Sequence, residues 1–263
     1  MTPEFLVALE ALAAELRPWA LDGALVFLRI GAMVALLPGF GEQIVPARVR
    51  LAVAFAFTMV VTPAAQGVLP PAPETPMALA WLVATEAVAG LALGIGLRLF
   101  VMALQTAGTI AAQATSLAQF FGGANVDPQP AIAQVLVMGG LALAMIFGLH
   151  VRLAELMILS YAMMPPGEFA QPGMLAEWGV GRVSHAFALA FQLAMPFVVI
   201  SLVYNVALGA INKAMPQLMV AFVGAPAITF AGLAMLLITA PILLPVWLNA
   251  FHAFIADPSV APR

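Results

Sequence analysis

The chain has 263 residues, 64% of them hydrophobic and only 8% charged, with a net charge of −3 and no cysteine. Soluble globular proteins carry about 25% charged residues, so this composition specifies an integral membrane protein with small loops and no aqueous domain. Disulfides, thiolate chemistry and cysteine metal sites are excluded, and so small a charge gives no case for nucleic acid or for polybasic attachment to lipid.

The N-terminal stretch MTPEFLVALEALAAELRPW carries Glu4, Glu10 and Glu15 within its apolar pattern and lacks a basic leader, unlike a signal peptide. Phe5, Leu9, Leu12 and Leu16 recur at helical spacing, which predicts an amphipathic surface helix ending before Pro18. The first span is expected from about Trp19 to Leu37, with Arg29 in its middle. A Pro/Gly-punctuated turn, LLPGFGEQIVPARVR, follows, and its Pro46 suits the first position of a helix. The second apolar run, about Leu51 to Val61, must draw in Val45 to Arg50 to cross a hydrocarbon core needing about 20 residues. From Pro63 to Pro76 the proline content predicts an extended, exposed loop.

The third run, Met77 to Leu104, holds Glu86 and Arg98, which a continuous helix separates by about 18 Å. They cannot pair with each other. Next comes a polar seam, residues 105–130, whose one formal charge is Asp127. As a helix it places Gln105, Thr109, Gln113, Ser116 and Gln119 on one face, opposite Ala107, Ile110, Ala111, Ala114, Leu117, Ala118 and Phe121. Gly122-Gly123 then breaks the helix, and Asp127-Pro128-Gln129-Pro130 forces an extended turn. Unpaired polar groups facing lipid cost several kcal/mol each, so the seam is either a connecting loop in water or one wall of a conduit.

The fourth run, Ala131 to Met164, exceeds one span and is expected to protrude, or to bend or divide near Gly148; it carries His150, Arg152 and Glu155. The fifth, about Val183 to Ile211, contains Pro196, and the sixth, about Met219 to Phe254, contains Pro226, Pro241 and Pro245. Basic residues divide four against four across alternate sides and give no orientation. His150, His185 and His252 stand on separate segments without carboxylates at metal-ligand spacing, and no nucleophile, phosphate-loop or zinc-protease motif occurs. Gly90 and Gly94 permit close helix approach. Arg29, Glu86, Arg98, Arg152 and Glu155 lie in apolar runs, where a charge must be paired or wet. Proton coupling and pairing with a neighbouring helix or chain are the two uses open to them; Glu86 has no cation within one helical turn.

The order of several segments resembles the FliR family of flagellar biosynthetic proteins, related to the SctT export-apparatus protein of virulence type III secretion systems. The segments are LLPGFGEQIVPARVRLAVAFAFTMVVTP, TEAVAGLALGIG, QTAGTIAAQATSLAQFFGGANVDP, IFGLHVRLAELMILSYAMMPPG and LVYNVALGAINKAMPQLMVAFVGAPAITFAGL. The family's pattern differs at Ala114-Thr115, Leu149, Lys213 and Met219. The resemblance implies an all-α membrane protein of about six long, kinked or split helical segments, assembled with FliP, FliQ and FlhB homologues into a spiral export gate for unfolded substrates. It implies a FliP-like part over residues 1–180 and a FliQ-like hairpin over 181–263. It implies a pore-closing plug over residues 105–123, naming Gln105, Gly108, Thr109, Gln113, Ser116, Gln119, Phe120, Phe121, Gly122 and Gly123. Asn205, Lys213, Pro216 and Gln217 are expected at partner contacts, along with the buried charges. The implied setting is the bacterial inner membrane at the flagellar basal body, with no catalysis, cofactor, metal or nucleic acid. A secondary transporter is the competing reading, since broken helices and buried charges suit one, but the paired repeats it predicts are not found.

Overall fold

The computed structural model describes residues 3–41, 45–71, 73–115, 131–215 and 220–260, with side chains outside 3–18 and 220–226. Among these residues all the regular structure is helical: α1 (Pro3–Leu36), α2 (Ala47–Ala65), α3 (Pro76–Thr115), α4 (Ala131–Ile146), α5 (Leu149–Met163), α6 (Pro172–Ala214) and α7 (Val220–Ala256). Five are long and apolar enough to cross a membrane, or six when the broken pair α4 and α5 counts as one span. The chain is thus an all-α membrane protein.

Several boundaries differ from those read from the sequence. The expected stop before Pro18 is absent, and α1 runs through it; a proline removes one hydrogen bond, and the Ala, Leu and Glu around it are strong helix formers. Pro46 sits one position outside α2, as its N-cap with φ −55° and ψ 141°. The proline-rich loop is shorter than expected. Pro63 lies within the last turn of α2, and Pro76 opens α3, where a missing N–H removes no helical bond. Thr75 Oγ1 accepts the Ala78 N–H at 3.2 Å and starts that helix. The overlong fourth run divides at Gly148, whose φ of 79° is a left-handed conformation open to glycine at little cost. The helix α3 has 40 residues, about 60 Å at 1.5 Å per residue, so it continues well into the seam.

Two compact units are interleaved along the chain. The first comprises residues 1–98, 148–180 and 254–261; the second comprises 99–147, 181–253 and 262–263. In the first, Val26, Ile30 and Met33 of α1 are buried, as are Leu93 and Leu97 of α3 and Leu153 and Met157 of α5. Gly90 and Gly94 make the α1–α3 contact possible: a Cβ on Gly90 would lie 2.1 Å from the Arg29 carbonyl oxygen, and one on Gly94 would lie 3.1 Å from that of Met33. Trp81 Nε1 donates to the Gly167 carbonyl at 3.0 Å and pins the segment after α5 onto α3. In the second unit Trp247 of α7 is fully buried, stacks on Phe251 and donates its indole N–H to the Phe100 carbonyl at 2.8 Å.

Candidate functional site

Two of the sequence-predicted charges meet in the core of the first unit. Arg29 of α1 and Glu86 of α3 are 2% and 0% exposed and form a bidentate ion pair, Nε to Oε2 at 2.8 Å and Nη2 to Oε1 at 2.9 Å. The expectation that Glu86 needs a partner outside its own helix is met within the chain, with no neighbouring subunit required. The remaining donors of the guanidinium turn to α5. Nη1 bonds the Ser160 carbonyl at 3.0 Å and its hydroxyl at 3.3 Å, while Nη2 bonds the Met164 carbonyl at 2.9 Å. All five N–H groups of the arginine are thereby engaged. Its Cζ also lies 4.0 Å from the centre of the Tyr161 ring, at cation–π distance.

Local sequence explains why α5 supplies those acceptors. A helix leaves its last four carbonyls without intrahelical partners, and Pro165-Pro166 stops α5 from continuing. Arg29, from a facing helix, gives the Met164 carbonyl a donor and shares the Ser160 carbonyl with the Met164 N–H, which reaches it at 2.9 Å. Ser160, Tyr161 and Met164 were not singled out from the sequence; the proline pair after an apolar run, opposite a mid-span arginine, is the signal that points to them. With every donor committed, the cluster can brace three helices but has no free N–H to offer a passing solute. It reads as a structural clamp.

The other predicted charges are not buried. Arg98 and Arg152 are half-buried and Glu155 is exposed, because α5 turns Leu149, Leu153, Leu156, Met157 and Ser160 inward and leaves Glu155 on the outer side. Arg98 has an interaction of its own. Asn205 is exposed, its Nδ2 donating to Ser201 Oγ at 3.3 Å, and Lys213 is exposed near the end of α6. Arg182, one residue before the fifth apolar run, is 6% exposed within α6.

The first part of the seam is the end of α3, in the second unit. Ala107, Gly108, Ala111 and Thr115 are buried, whereas Gln105 and Thr109 are half-buried and Gln113 is exposed. The helix is present from Gln105 to Thr115 with its two faces partly separated, since Ile110 and Ala114 of the expected apolar face are half-buried like Gln105 and Thr109. Thr109 Oγ1 bonds back to the Gln105 carbonyl at 2.8 Å and Thr115 Oγ1 to that of Ala111 at 2.9 Å, so both hydroxyls are satisfied within the helix. Gly108 serves close packing: a Cβ there would lie 2.2 Å from Ala133 Cα of α4. Thr115 abuts Gly232 of α7. Of the remaining residues named for the plug, Ser116, Gln119, Phe120, Phe121, Gly122 and Gly123 lie outside the described residues, as do Pro216 and Gln217, named for partner contacts. Among the described residues no group of three His, Cys, Asp or Glu side chains is placed to hold a metal.

Residues 20–254 match the family described as bacterial export proteins, family 1. The chain is similar to the flagellar biosynthetic protein FliR of Caulobacter vibrioides, 36% identical over 231 residues that cover 87% of this chain and 92% of that protein. FliR of Bacillus subtilis is 30% identical, covering 86% of this chain and 89% of its own length. FliR of Escherichia coli is 29% identical, covering 83% and 84%.

Proposed function

The chain belongs to the FliR family, the bacterial export proteins, family 1, and from that membership we propose that it is a membrane subunit of the flagellar protein export apparatus. In this reading it works with FliP, FliQ and FlhB homologues in the inner membrane at the basal body, and passes unfolded subunits outward. Its contribution is structural; the residues present offer positioning and closure instead of bond chemistry.

The observation that carries the finer reading is the end of α3. A conduit that passes unfolded chains needs walls that bond weakly to any sequence. Gln105, Thr109 and Gln113 form a neutral polar stripe on a helix otherwise packed by small residues, which lets it face water or a passing backbone without a charge that grips. We assign residues 105–123 to the resting closure of that conduit. α3 up to Thr115 is the packed base of that closure. Residues 1–180 and 181–263 then correspond to FliP-like and FliQ-like parts that meet partner subunits.

Removal of the gene tests the reading. The expected result is loss of secreted flagellar filament subunits and of swimming, restored by the gene supplied on a plasmid. Normal filament export in the deletion strain, together with a defect in uptake of some solute, supports the secondary transporter instead.

A further inference from the structure

We propose that the groove between α1 and α2 binds an anionic phospholipid, with the phosphate at Arg48 and an acyl chain laid along the groove. The site lies within the first unit and does not depend on the export reading. The groove encloses about 1150 Å³, and Trp19 and Phe27 of α1 face Arg48, Leu51, Phe55 and Met59 of α2 across it. Leu51, Phe55 and Met59, spaced by four, are 59%, 57% and 66% exposed, an apolar stripe that nothing among the described residues covers. The two threonines of the wall contribute little polarity, since Thr58 Oγ1 donates to the Ala54 carbonyl and Thr62 Oγ1 to the Thr58 carbonyl, both at 2.7 Å. Among the described residues Arg48 is the single charged one in the lining.

Its position selects the occupant. Arg48 is the second residue of α2, at the end of a helix apolar and long enough to span, which sets its guanidinium at headgroup depth. From Arg48 to Met59 the helix rises about 16 Å at 1.5 Å per residue, about half of a 30 Å hydrocarbon core. That is the depth reached by one leaflet's chains. A guanidinium matches a phosphate with two parallel N–H bonds, and basic pockets between membrane helices suit anionic headgroups. The N-terminus of α2 adds its partial positive charge, with Pro46 giving no side-chain cap. An apolar helix of another protein could fill the stripe, but it would carry no anion at this depth unless an acidic residue happened to lie there. Arg50 is two positions on and therefore about 200° around the helix from Arg48, outside the groove lining.

The test uses the full-length chain in phosphatidylcholine vesicles containing a minor fraction of phosphatidylglycerol with a photoreactive group on its acyl chain. A phosphatidylcholine probe of the same design runs in parallel, and adducts are mapped by mass spectrometry. The expected result is labelling of Leu51, Phe55 and Met59 several-fold greater from phosphatidylglycerol than from phosphatidylcholine. Arg48→Gln should bring the two probes to the same level, while Arg50→Gln, which removes the same net charge, should not. The wild-type ratio requires no variant and stands even if Arg48→Gln folds poorly. Equal labelling by the two probes, or equal loss in the two variants, overturns the site. Competition by excess inorganic phosphate overturns it in favour of a free-anion site. In membranes where the chain is assembled with its neighbours, disappearance of the adducts overturns it in favour of a protein helix.

Discussion

Arg29 and Glu86 show what one buried charge requires of its surroundings. Taking a guanidinium and a carboxylate out of water costs several kcal/mol per ion, and their attraction offsets this only where the remaining hydrogen-bonding capacity is also met. Here both carboxylate oxygens and all five guanidinium donors are used, the latter shared between Glu86 and the end of α5. Removing one partner leaves the other uncompensated. Glu86→Ala is therefore expected to destabilise the first unit by about 3–5 kcal/mol, read as a lower denaturation midpoint of the full chain in detergent. The double replacement Arg29→Met with Glu86→Leu should be milder than the single, since it buries no lone charge. It should still fall short of the parent, because the half-buried Met164 carbonyl loses its Arg29 donor, at a cost of up to about 1–3 kcal/mol, while that of Ser160 keeps the Met164 N–H. If the double proves as damaging as the single, the pair is not acting as a clamp.

At the scale of whole helices, small residues set how near two backbones come. Gly90 against the Arg29 carbonyl and Gly108 against Ala133 Cα leave no room for a methyl group, and the obstructing atoms are backbone and cannot rotate away. Gly179, also helical, has open space where a Cβ would go. Alanine at position 90 or 108 should each lower the midpoint by an amount typical of overpacking, about 1–3 kcal/mol. Gly179→Ala should be neutral or stabilising by up to about 1 kcal/mol through helix propensity. Equal effects at all three positions would mean that the close approaches are not tight in the folded protein. The sequence makes the helices themselves legible because each apolar run announces one, and the Gln105, Thr109 and Gln113 stripe is readable because its periodicity is local. Gly90 and Gly94 are visible as a small-residue pattern, but nothing local says which helix they receive. The pairing of Arg29 with Glu86, 57 positions apart, depends on that choice and on a register fixed by tertiary packing. Pro18 misleads for the opposite reason: a strong local stop signal is outweighed by good helix formers on both sides.

For the molecule as a whole, α6 is the helix with the most to reveal about assembly. Leu202, Val203 and Val206 are 64%, 64% and 66% exposed, and the exposed Asn205 stands among them. An amide is an uncommon neighbour for lipid and a useful one for another protein chain. Because the chain has no cysteine, Asn205→Cys gives a single site for a thiol-attached photocrosslinker, and adducts with a FliP or FliQ homologue are expected in intact membranes. Adducts with lipid or with this chain alone would remove α6 from the assembly surface. Closure of the proposed conduit sets a different demand. An opening wide enough for an unfolded polypeptide leaks ions unless something fills it at rest, and the filling must be displaceable. Cutting out the stretch from Gly108 would not test this cleanly, since Gly108, Ala111 and Thr115 are buried parts of α3 and their loss would unpack α4 and α7. A deletion of residues 116–123 alone spares that base. If the segment closes the conduit, the shortened chain should still assemble with its partners, while cells producing it take up small ions, lose membrane potential and grow slowly. An assembled complex in a membrane as tight as the parent's, at equal expression, would return the segment to the role of a connecting loop.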